Sequence, residues 1–208
     1  MKKVSMVLLL MLAFTIPSFS QATKSNPTEA YFHFSKARML AEQGQVNDAI
    51  TEYKKALDLD PNNSLIYSEM AETYLRAQSP RIREAVGAAE KAIKADADNV
   101  DAHKILASVY TSMISDSSAN APIAEETVNR AIHEFEEMLR IDSSDQSSYL
   151  MLGRLYQVKN DDKKAEEIYR KFLGMEPGSE EGVTSLARLH MDAGNNKEAA
   201  TLLEGFVK

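Results

Sequence analysis

The chain has 208 residues, with 31 acidic residues against 24 lysines and arginines, and its formal net charge is −7 at pH 7. An acidic balance argues against binding to a phosphate backbone, which needs a basic surface. The absence of cysteine excludes disulfides, thiol catalysis, thiolate metal sites and lipid attachment to an N-terminal cysteine.

The first twenty residues are typical of a secretory signal peptide. Lys2 and Lys3 form a basic start, an apolar run covers residues 4–17, and small residues allow a cut after Ser20 or, equally well, after Ala22. The apolar run is shorter than the roughly 20 residues that span a bilayer. We therefore expect residues 1–20 to be removed and residues 21–29 to form a short linker. The mature protein is expected to have no membrane segment, to be periplasmic or secreted in a bacterium, and not to be lipid-anchored.

Two segments, residues 49–61 and 165–177, share one spacing: alanine, an aromatic residue four positions later, an apolar residue seven later and proline twelve later. A pattern that returns in phase indicates stacked units, which bury their apolar faces against neighbouring units. Residues 149–177 hold the fullest unit, with aromatic and small residues on one face of a first helix and an alanine and a tyrosine on a second. Its positions are Tyr149, Leu152, Gly153, Tyr156, Ala165, Tyr169 and Pro177.

These positions resemble the tetratricopeptide repeat, a helix–turn–helix unit of 34 residues. The resemblance covers residues 30–208 and implies an all-α fold, a right-handed α-solenoid of about five units. The units are placed at about residues 30–63, 64–99, 100–145, 146–179 and 180–208. The resemblance implies that the units pack through Ala37, Tyr53, Tyr67, Ala71, Tyr74, Ala107, Tyr110, Tyr149, Gly153, Tyr156, Ala165, Tyr169, Ala187 and Ala199.

Two units depart from the common spacing. The second gains two residues at Ser79 and Pro80, and the third gains twelve around residues 115–122. Proline at position 122 and the acidic residues that follow it predict the start of a helix, which should run to about Ile141. We expect an overlong helix and a protruding loop, which is either a neutral insertion or a functional loop.

The sequence holds no constellation that would indicate catalysis. No two histidines have the spacing of a helical zinc pair, so His33, His103 and His190 are interpreted as hydrogen-bonded packing residues. A calcium loop starting at Asp58 lacks the required glycine, because Asn63 stands at that position. Asn63 is better explained as the cap of the next helix. We expect a protein that is not an enzyme and has no catalytic residue, no metal and no cofactor.

The resemblance also implies that the first helices line a concave groove that binds a protein or peptide. Arg38, Arg154 and Arg188 stand at equivalent places there, and guanidinium groups suit carboxylates, so an acidic or C-terminal peptide is one candidate ligand. Ordinary solvated charges are the equal alternative. The two-carboxylate clamp of the chaperone-binding members is absent. The predicted groove residues are Phe34, Arg38, Glu69, Glu72, Lys104, Ser108, Leu150, Met151, Arg154 and Arg188.

Together these features predict an exported, non-catalytic scaffold or adaptor for protein–protein interactions. Its groove would bind a peptide or helix of a cell-envelope partner, and nucleic acid is not expected to bind. Two alternatives stay open. The protein is a structural or self-assembling subunit that associates through the last helix, or it is the N-terminal part of a longer tetratricopeptide protein. The apolar face of that helix consists of Leu202, Leu203, Phe206 and Val207.

Overall fold

The computed structural model describes residues 26–115 and 125–207, and every regular element in these two ranges is a helix. The predicted signal peptide and the loop after Ser115 lie outside the described residues. The ten helices are α1 (Pro27–Glu42), α2 (Val46–Leu59), α3 (Ser64–Leu75), α4 (Ile82–Ala95), α5 (Val100–Ser115), α6 (Glu125–Ile141), α7 (Gln146–Val158), α8 (Asp162–Met175), α9 (Glu180–Asp192) and α10 (Asn196–Val207). The all-α fold predicted from the sequence is confirmed.

The helices stack in chain order as five pairs. The two helices of each pair contact each other, and the second helix of one pair contacts the first helix of the next. First helices of neighbouring pairs also touch, as α1 does with α3 and α7 with α9, whereas no two second helices of the described chain touch. The first helices therefore line the inner side of a curved stack, and the second helices lie on its outer side.

One junction on the inner side differs from the others. In the described part of the chain, no Cα atom of α5 lies within 8 Å of one of α7, although the other neighbouring first helices approach each other this closely. The stack continues there through α6 and α7. The inner side is therefore more open between the third and fourth units than elsewhere.

Side-chain caps mark where several helices begin. Asn63 accepts a hydrogen bond from the backbone N–H of Ile66 at 3.2 Å, and Asp145 accepts from the N–H groups of Ser147 and Ser148. Such caps satisfy amide groups that have no partner inside the helix. The capping role predicted for Asn63 is confirmed.

The short turns inside three units share one backbone solution. Gly44, Asn160 and Gly194 have φ values of 74°, 60° and 78°. Each stands four residues after a residue near the end of the first helix, which is Leu40, Tyr156 or His190. The residue after each of them donates a backbone hydrogen bond to the carbonyl oxygen of that first-helix residue. The left-handed conformation of this residue ends the first helix and turns the chain toward the second. Glycine adopts this conformation without strain.

The predicted packing residues lie in the interior. Tyr53 and Tyr169 are completely buried, and so are Ala37 and Ala165. Tyr67 and Tyr149 are half-buried and pack against the same core. The remaining packing positions named above are buried. Small residues on the first helices thus face large rings on the second, which allows the helices of a pair to approach closely.

The third unit contains the long helix that its spacing predicts. α6 runs over 17 residues and ends at Ile141, whereas the other second helices have 12 to 14. In the second unit, the longer turn is closed by a hydrogen bond from the N–H of Arg81 to the carbonyl of Tyr74.

Candidate interaction surface

The inner side carries a row of exposed residues that do not contribute to the core. Each follows a buried small residue of a first helix: Ala37, Ala71, Ala107, Gly153 or Ala187. One residue of the row comes from each unit, so the row extends along the whole stack. We call these residues the inner row, and they are Arg38, Glu72, Ser108, Arg154 and Arg188.

The structure divides the other predicted groove residues into two groups. Phe34 and Leu150 are only 9% and 8% exposed and belong to the hydrophobic core. The ring centroid of Phe34 lies 6.2 Å from that of Tyr53 on α2 and 5.9 Å from the guanidinium carbon of Arg38. They therefore offer little surface to a partner. Lys104 is exposed, while Glu69 and Met151 are partly buried.

The inner side of the first two units holds three carboxylates against two guanidinium groups, namely Glu42, Glu69 and Glu72 against Arg38 and Arg76. Arg38 Nε lies 3.5 Å from Glu69 Oε1, and Arg76 Nη1 lies 3.9 Å from Glu72 Oε1. Burial raises the pKa of Glu69, and the negative charges of Glu72 and Asp101 raise it further against the opposing effect of Arg38. The two guanidinium groups therefore do not fully neutralise this end of the inner side.

The inner side of the last two units has the opposite balance. Arg154 Nη2 lies 3.1 Å from Glu181 Oε1, on the next first helix. Arg188 is exposed, and within the described ranges it has no ion pair or hydrogen bond. Burial raises the pKa of Tyr169, while the positive charges of Arg154 and Arg188 act in the other direction. Both guanidinium groups therefore contribute positive charge to the inner side near Tyr169.

Two equivalent tyrosines of the second helices differ in how their hydroxyl groups are bonded. Tyr169 donates to Gln157 Oε1 at 2.8 Å. Tyr53, in the first unit, has no hydrogen-bond partner for its buried hydroxyl within the described chain. Thr73 and Glu69 lie near this hydroxyl without forming a hydrogen bond of good geometry, and burial raises the pKa of Tyr53 to about 12. In the first unit, Ala41 occupies the place that Gln157 has in the fourth.

Two histidine–glutamate pairs stand at equivalent places in the first and third units. His33 Nδ1 lies 2.6 Å from Glu52 Oε2, and His103 Nδ1 lies 2.6 Å from Glu134 Oε2. His103 also has its Nε2 atom 3.1 Å from the carbonyl oxygen of Ala97. Both histidines are hydrogen-bonded as predicted.

The glutamates of these pairs were missed by the sequence analysis. The available signal was a histidine at the place that Tyr149 has in the fourth unit, combined with a glutamate directly before the aromatic residue of the second helix. His190 also differs from expectation. Its buried Nε2 has no hydrogen-bond partner in the described structure and lies 3.8 Å from Glu166 Oε1.

Glu52 gives the fold an acid-sensitive contact. Hydrogen bonds from Lys55, His33 and Lys36 lower the pKa of Glu52 from 4.5 to about 2, against the opposing effect of burial. Since the folded pKa lies below the unfolded one, this contribution to stability is complete above about pH 4.5 and is lost as the pH falls toward 2.

Replacing Glu52 with glutamine is expected to lower the free energy of unfolding at pH 7 by about 2 kcal/mol, because charged hydrogen bonds are lost. The difference between the variant and the wild type should shrink as the pH is lowered from 5 to 2, which thermal unfolding at successive pH values would measure. Glu90→Gln, at an exposed position of α4, is the control and should follow the wild-type pH dependence. A constant difference across this pH range would contradict the assignment.

The described residues hold no group of three or more histidine or acidic side chains arranged to bind a metal ion. Nor does any helix in the described ranges combine the length and apolar character needed to cross a membrane.

These features define the class of the fold: helix–turn–helix units stacked into a right-handed α-solenoid, with the first helices on the inner side. Two segments match family models. Residues 37–78 match the TPR repeat, and residues 146–179 match the tetratricopeptide repeat. The chain therefore contains tetratricopeptide repeats.

One relative is named for the same kind of repeat. The chain is 30% identical over 106 residues to small glutamine-rich tetratricopeptide repeat-containing protein 2 of Mycosarcoma maydis. The aligned region is 51% of this chain and 30% of that protein. The chain thus spans less than a third of the length of this relative.

Several solved structures have the same fold. A tetratricopeptide repeat protein from Parabacteroides merdae aligns with a TM-score of 0.67 at 17% identity, over 86% of this chain and 66% of that one. The MamA protein aligns with a TM-score of 0.66 at 21% identity, covering 85% and 88% of the two chains. YrrB, described as a TPR protein with an unusual peptide-binding site, aligns with a TM-score of 0.65 at 18% identity over 91% of each. At these identities the comparison establishes the solenoid fold.

Proposed function

We propose that the protein is an exported, non-catalytic scaffold whose inner surface binds an extended segment of another cell-envelope protein. The observation that carries this proposal is the inner row. Five exposed residues at one repeated position follow buried small residues, so they do not serve the core and are available to a partner. The peptide-binding site named for YrrB supports the assignment of peptide binding to such a surface.

The charges of the inner side suggest how the partner segment is oriented. The first two units have excess carboxylates around Glu69, whereas the last two carry Arg154 and Arg188 with Glu181 as the acidic neighbour. Complementary charges steer association and fix the register of a bound segment. A segment with acidic side chains near the fourth and fifth units matches this pattern. It also agrees with the acidic ligand that the arginines predict.

The export part of the proposal rests on the N-terminal sequence. A basic start, an apolar run and small residues before position 21 are typical of a cleaved signal peptide. N-terminal sequencing of the protein recovered from an envelope fraction would identify the cut at Ser20 or at Ala22.

The combined variant Arg154→Glu and Arg188→Glu is expected to weaken partner capture from envelope extract by about tenfold or more, equivalent to at least 1.4 kcal/mol. Its melting temperature should stay near that of the wild type, since exposed ion pairs contribute only about 0–1 kcal/mol. Quantitative pull-down and thermal unfolding on the same preparations would measure both effects.

The matched control reverses two exposed arginines of second helices, Arg83→Glu and Arg170→Glu, which lie on the outer side. This control should capture the partner as the wild type does. Equal loss of capture by both combined variants would indicate a general charge effect, and undiminished capture by the inner variant would contradict the proposed surface.

A second candidate function is self-association through α10. In the described chain, Leu203 and Phe206 are 37% and 38% exposed and Val207 is 85% exposed, so this helix presents apolar surface that a second copy would cover. Light scattering separates the two candidates, because a monomer that still captures the partner excludes obligatory self-association.

A further inference from the structure

The two ends of the described stack expose apolar residues at places that are covered inside the chain. Phe32 stands directly before His33 and is 61% exposed, and Val207, near the end of α10, is 85% exposed. In the other four units, the residues at the place of Phe32 are all buried. They are Ile66, Ala102, Ser148 and Gly182. The place of Phe32 is therefore one that an adjoining unit covers.

The junction between the fourth and fifth units shows which residues cover this place. A Cβ atom at Gly182 would lie 2.9 Å from Cδ1 of Phe172 and 2.8 Å from Cδ2 of Leu173, so the last turn of α8 packs directly on the start of α9. The equivalent residues of α10 are Phe206 and Val207. α10 thus exposes the residues that cover a following first helix, and α1 exposes the place that such residues cover.

An acidic residue of the second helix also reaches across a junction inside the chain. Glu136 on α6 accepts a hydrogen bond at 2.6 Å from the hydroxyl of Tyr156, which belongs to the next unit. Leu152 and Lys171 of that unit line the same depression. α10 has the exposed Glu204 at the place of Glu136. A unit packed on α10 would therefore receive a carboxylate at the equivalent depression.

The first unit carries positive charge at this depression. Lys36 and Lys55 stand there at the places of the leucine and the lysine named above. Their Nζ atoms lie 3.1 and 2.9 Å from the same carboxylate oxygen, Glu52 Oε1. One carboxylate thus serves two ammonium groups, and a second carboxylate from Glu204 would be attracted to them.

We propose that the last unit of one copy packs on the first unit of a second copy, with Val207 against Phe32. Glu204 then lies beside Lys36 and Lys55. The contact joins different surfaces of the two copies, so each bound copy offers a free end to another copy. Such a heterologous contact produces an open row of copies rather than a closed dimer.

The contact between copies is looser than a junction inside the chain. Phe206 and Phe32 are both aromatic and meet as two rings, whereas a ring meets glycine at the junction of the fourth and fifth units. Lys36 also stands where the other units have a buried leucine or methionine. We therefore expect the rows to dissociate on dilution.

This inference specifies the second candidate function, because self-association through α10 needs a surface to which that helix binds. Its test follows the mass of the protein without residues 1–20 by sedimentation velocity at increasing concentration. The average mass should rise beyond that of a dimer. A protein that stays monomeric at every concentration would overturn the proposal.

Two variants place a carboxylate in the proposed contact, Phe32→Glu at one end and Val207→Glu at the other. Both side chains are largely exposed, so the variants should fold as the wild type does. Each should weaken association at least tenfold, because an unpaired charge would be buried between the copies. The matched control is Ile82→Glu on α4, an exposed apolar residue away from both ends, which should associate like the wild type. Unchanged association of either end variant would contradict the contact.

An equimolar mixture of the two variants distinguishes this contact from a symmetric contact between two α10 helices. The Phe32→Glu copy keeps its last unit and the Val207→Glu copy keeps its first unit. The mixture should therefore form dimers and nothing larger, at concentrations where each variant alone is monomeric. A symmetric contact would instead leave Phe32→Glu dimeric by itself, and that result would overturn the proposal.

Partner capture by the same variants keeps this inference separate from the inner-surface proposal. Both variants leave the inner row unchanged, so they should capture the partner from envelope extract as the wild type does. If the wild type does not assemble but captures the partner, the contact between copies is wrong and the inner surface stands. If it assembles as described but the Arg154 and Arg188 variant captures the partner undiminished, the inner surface is wrong and the contact between copies stands.

Discussion

Replacing Glu134 with isoleucine is expected to lower the free energy of unfolding by about 3–5 kcal/mol, because it breaks a buried polar pair and leaves one partner uncompensated. His103 and Glu134 are only 2% and 6% exposed, and their side chains meet at 2.6 Å. The other ring nitrogen of His103 faces the carbonyl of Ala97. The imidazole is thus held between two oxygen atoms, and losing the carboxylate removes the stronger of the two contacts.

The fourth unit supplies the control for this variant. Tyr149 and Ile168 stand there at the places of His103 and Glu134, and Tyr149 stacks on Phe172 with ring centroids 6.3 Å apart. The double variant His103→Tyr and Glu134→Ile should therefore recover most of the lost stability, since replacing both members of a buried pair by packed side chains is often neutral. Urea unfolding of the wild type and both variants would measure this. A double variant no more stable than Glu134→Ile alone would contradict the interpretation.

Replacing Gly153 with alanine is expected to cost about 1–3 kcal/mol of unfolding free energy, because the new methyl group overpacks the contact between α7 and α8. A Cβ atom at this position would lie 2.6 Å from Cζ and 2.9 Å from Cδ1 of Tyr169. The ring has little freedom to move, since it is completely buried and its hydroxyl is bonded to Gln157.

The control is Gly87→Ala in the middle of α4. A Cβ atom there has no neighbouring atom within 4 Å, so the variant should be more stable by about 0.5–1 kcal/mol, the usual advantage of alanine over glycine inside a helix. Thermal or urea unfolding of both variants would give the comparison. If Gly153→Ala were as stable as Gly87→Ala, close approach of the helices would not be the reason for glycine at position 153.

In the first unit, alanine takes the place that Gly153 has in the fourth, and the tyrosine opposite it is bonded differently. Ala37 stands there opposite Tyr53, and this tyrosine is the one whose hydroxyl lacks a partner in the described chain. In the fourth unit, glycine and a bonded tyrosine occur together. The two tyrosines therefore occupy equivalent places in the sequence pattern and have different surroundings.

The sequence was sufficient for the helices and their packing faces. The recurring alanine, aromatic and small-residue positions predict which faces are buried, because a helix returns to the same side every three to four residues. The end of α6 at Ile141 and the cap at Asn63 followed from local signals of the same kind. Such features depend on residues close together in the chain, so the sequence contains the information directly.

The candidate surface was only partly predictable. The exposed positions of Arg38, Arg154 and Arg188 follow from the register of the repeat. The first two pair with an acidic residue of the next first helix, as Arg154 does with Glu181, and this pairing depends on how the units stack. Phe34 and Leu150 were predicted to line the groove and lie in the core instead. Both residues stand one helical turn before an inner-row arginine, on nearly the same side of the helix. Their burial therefore depends on how neighbouring side chains cover them, which helix spacing does not specify.

By itself, the sequence determined a helical repeat protein with an acidic charge balance, a start typical of export and small residues where helices approach. Only the tertiary structure decided which polar groups meet: the buried pair of His103 and Glu134, the unequal charges at the two ends of the inner side, and the unpartnered hydroxyl of Tyr53. The residues of the His103–Glu134 pair are 31 positions apart in the chain, about the length of one repeat. Repeat periodicity specifies the position of each residue, whereas the contact between two residues also depends on the side chains supplied by neighbouring helices.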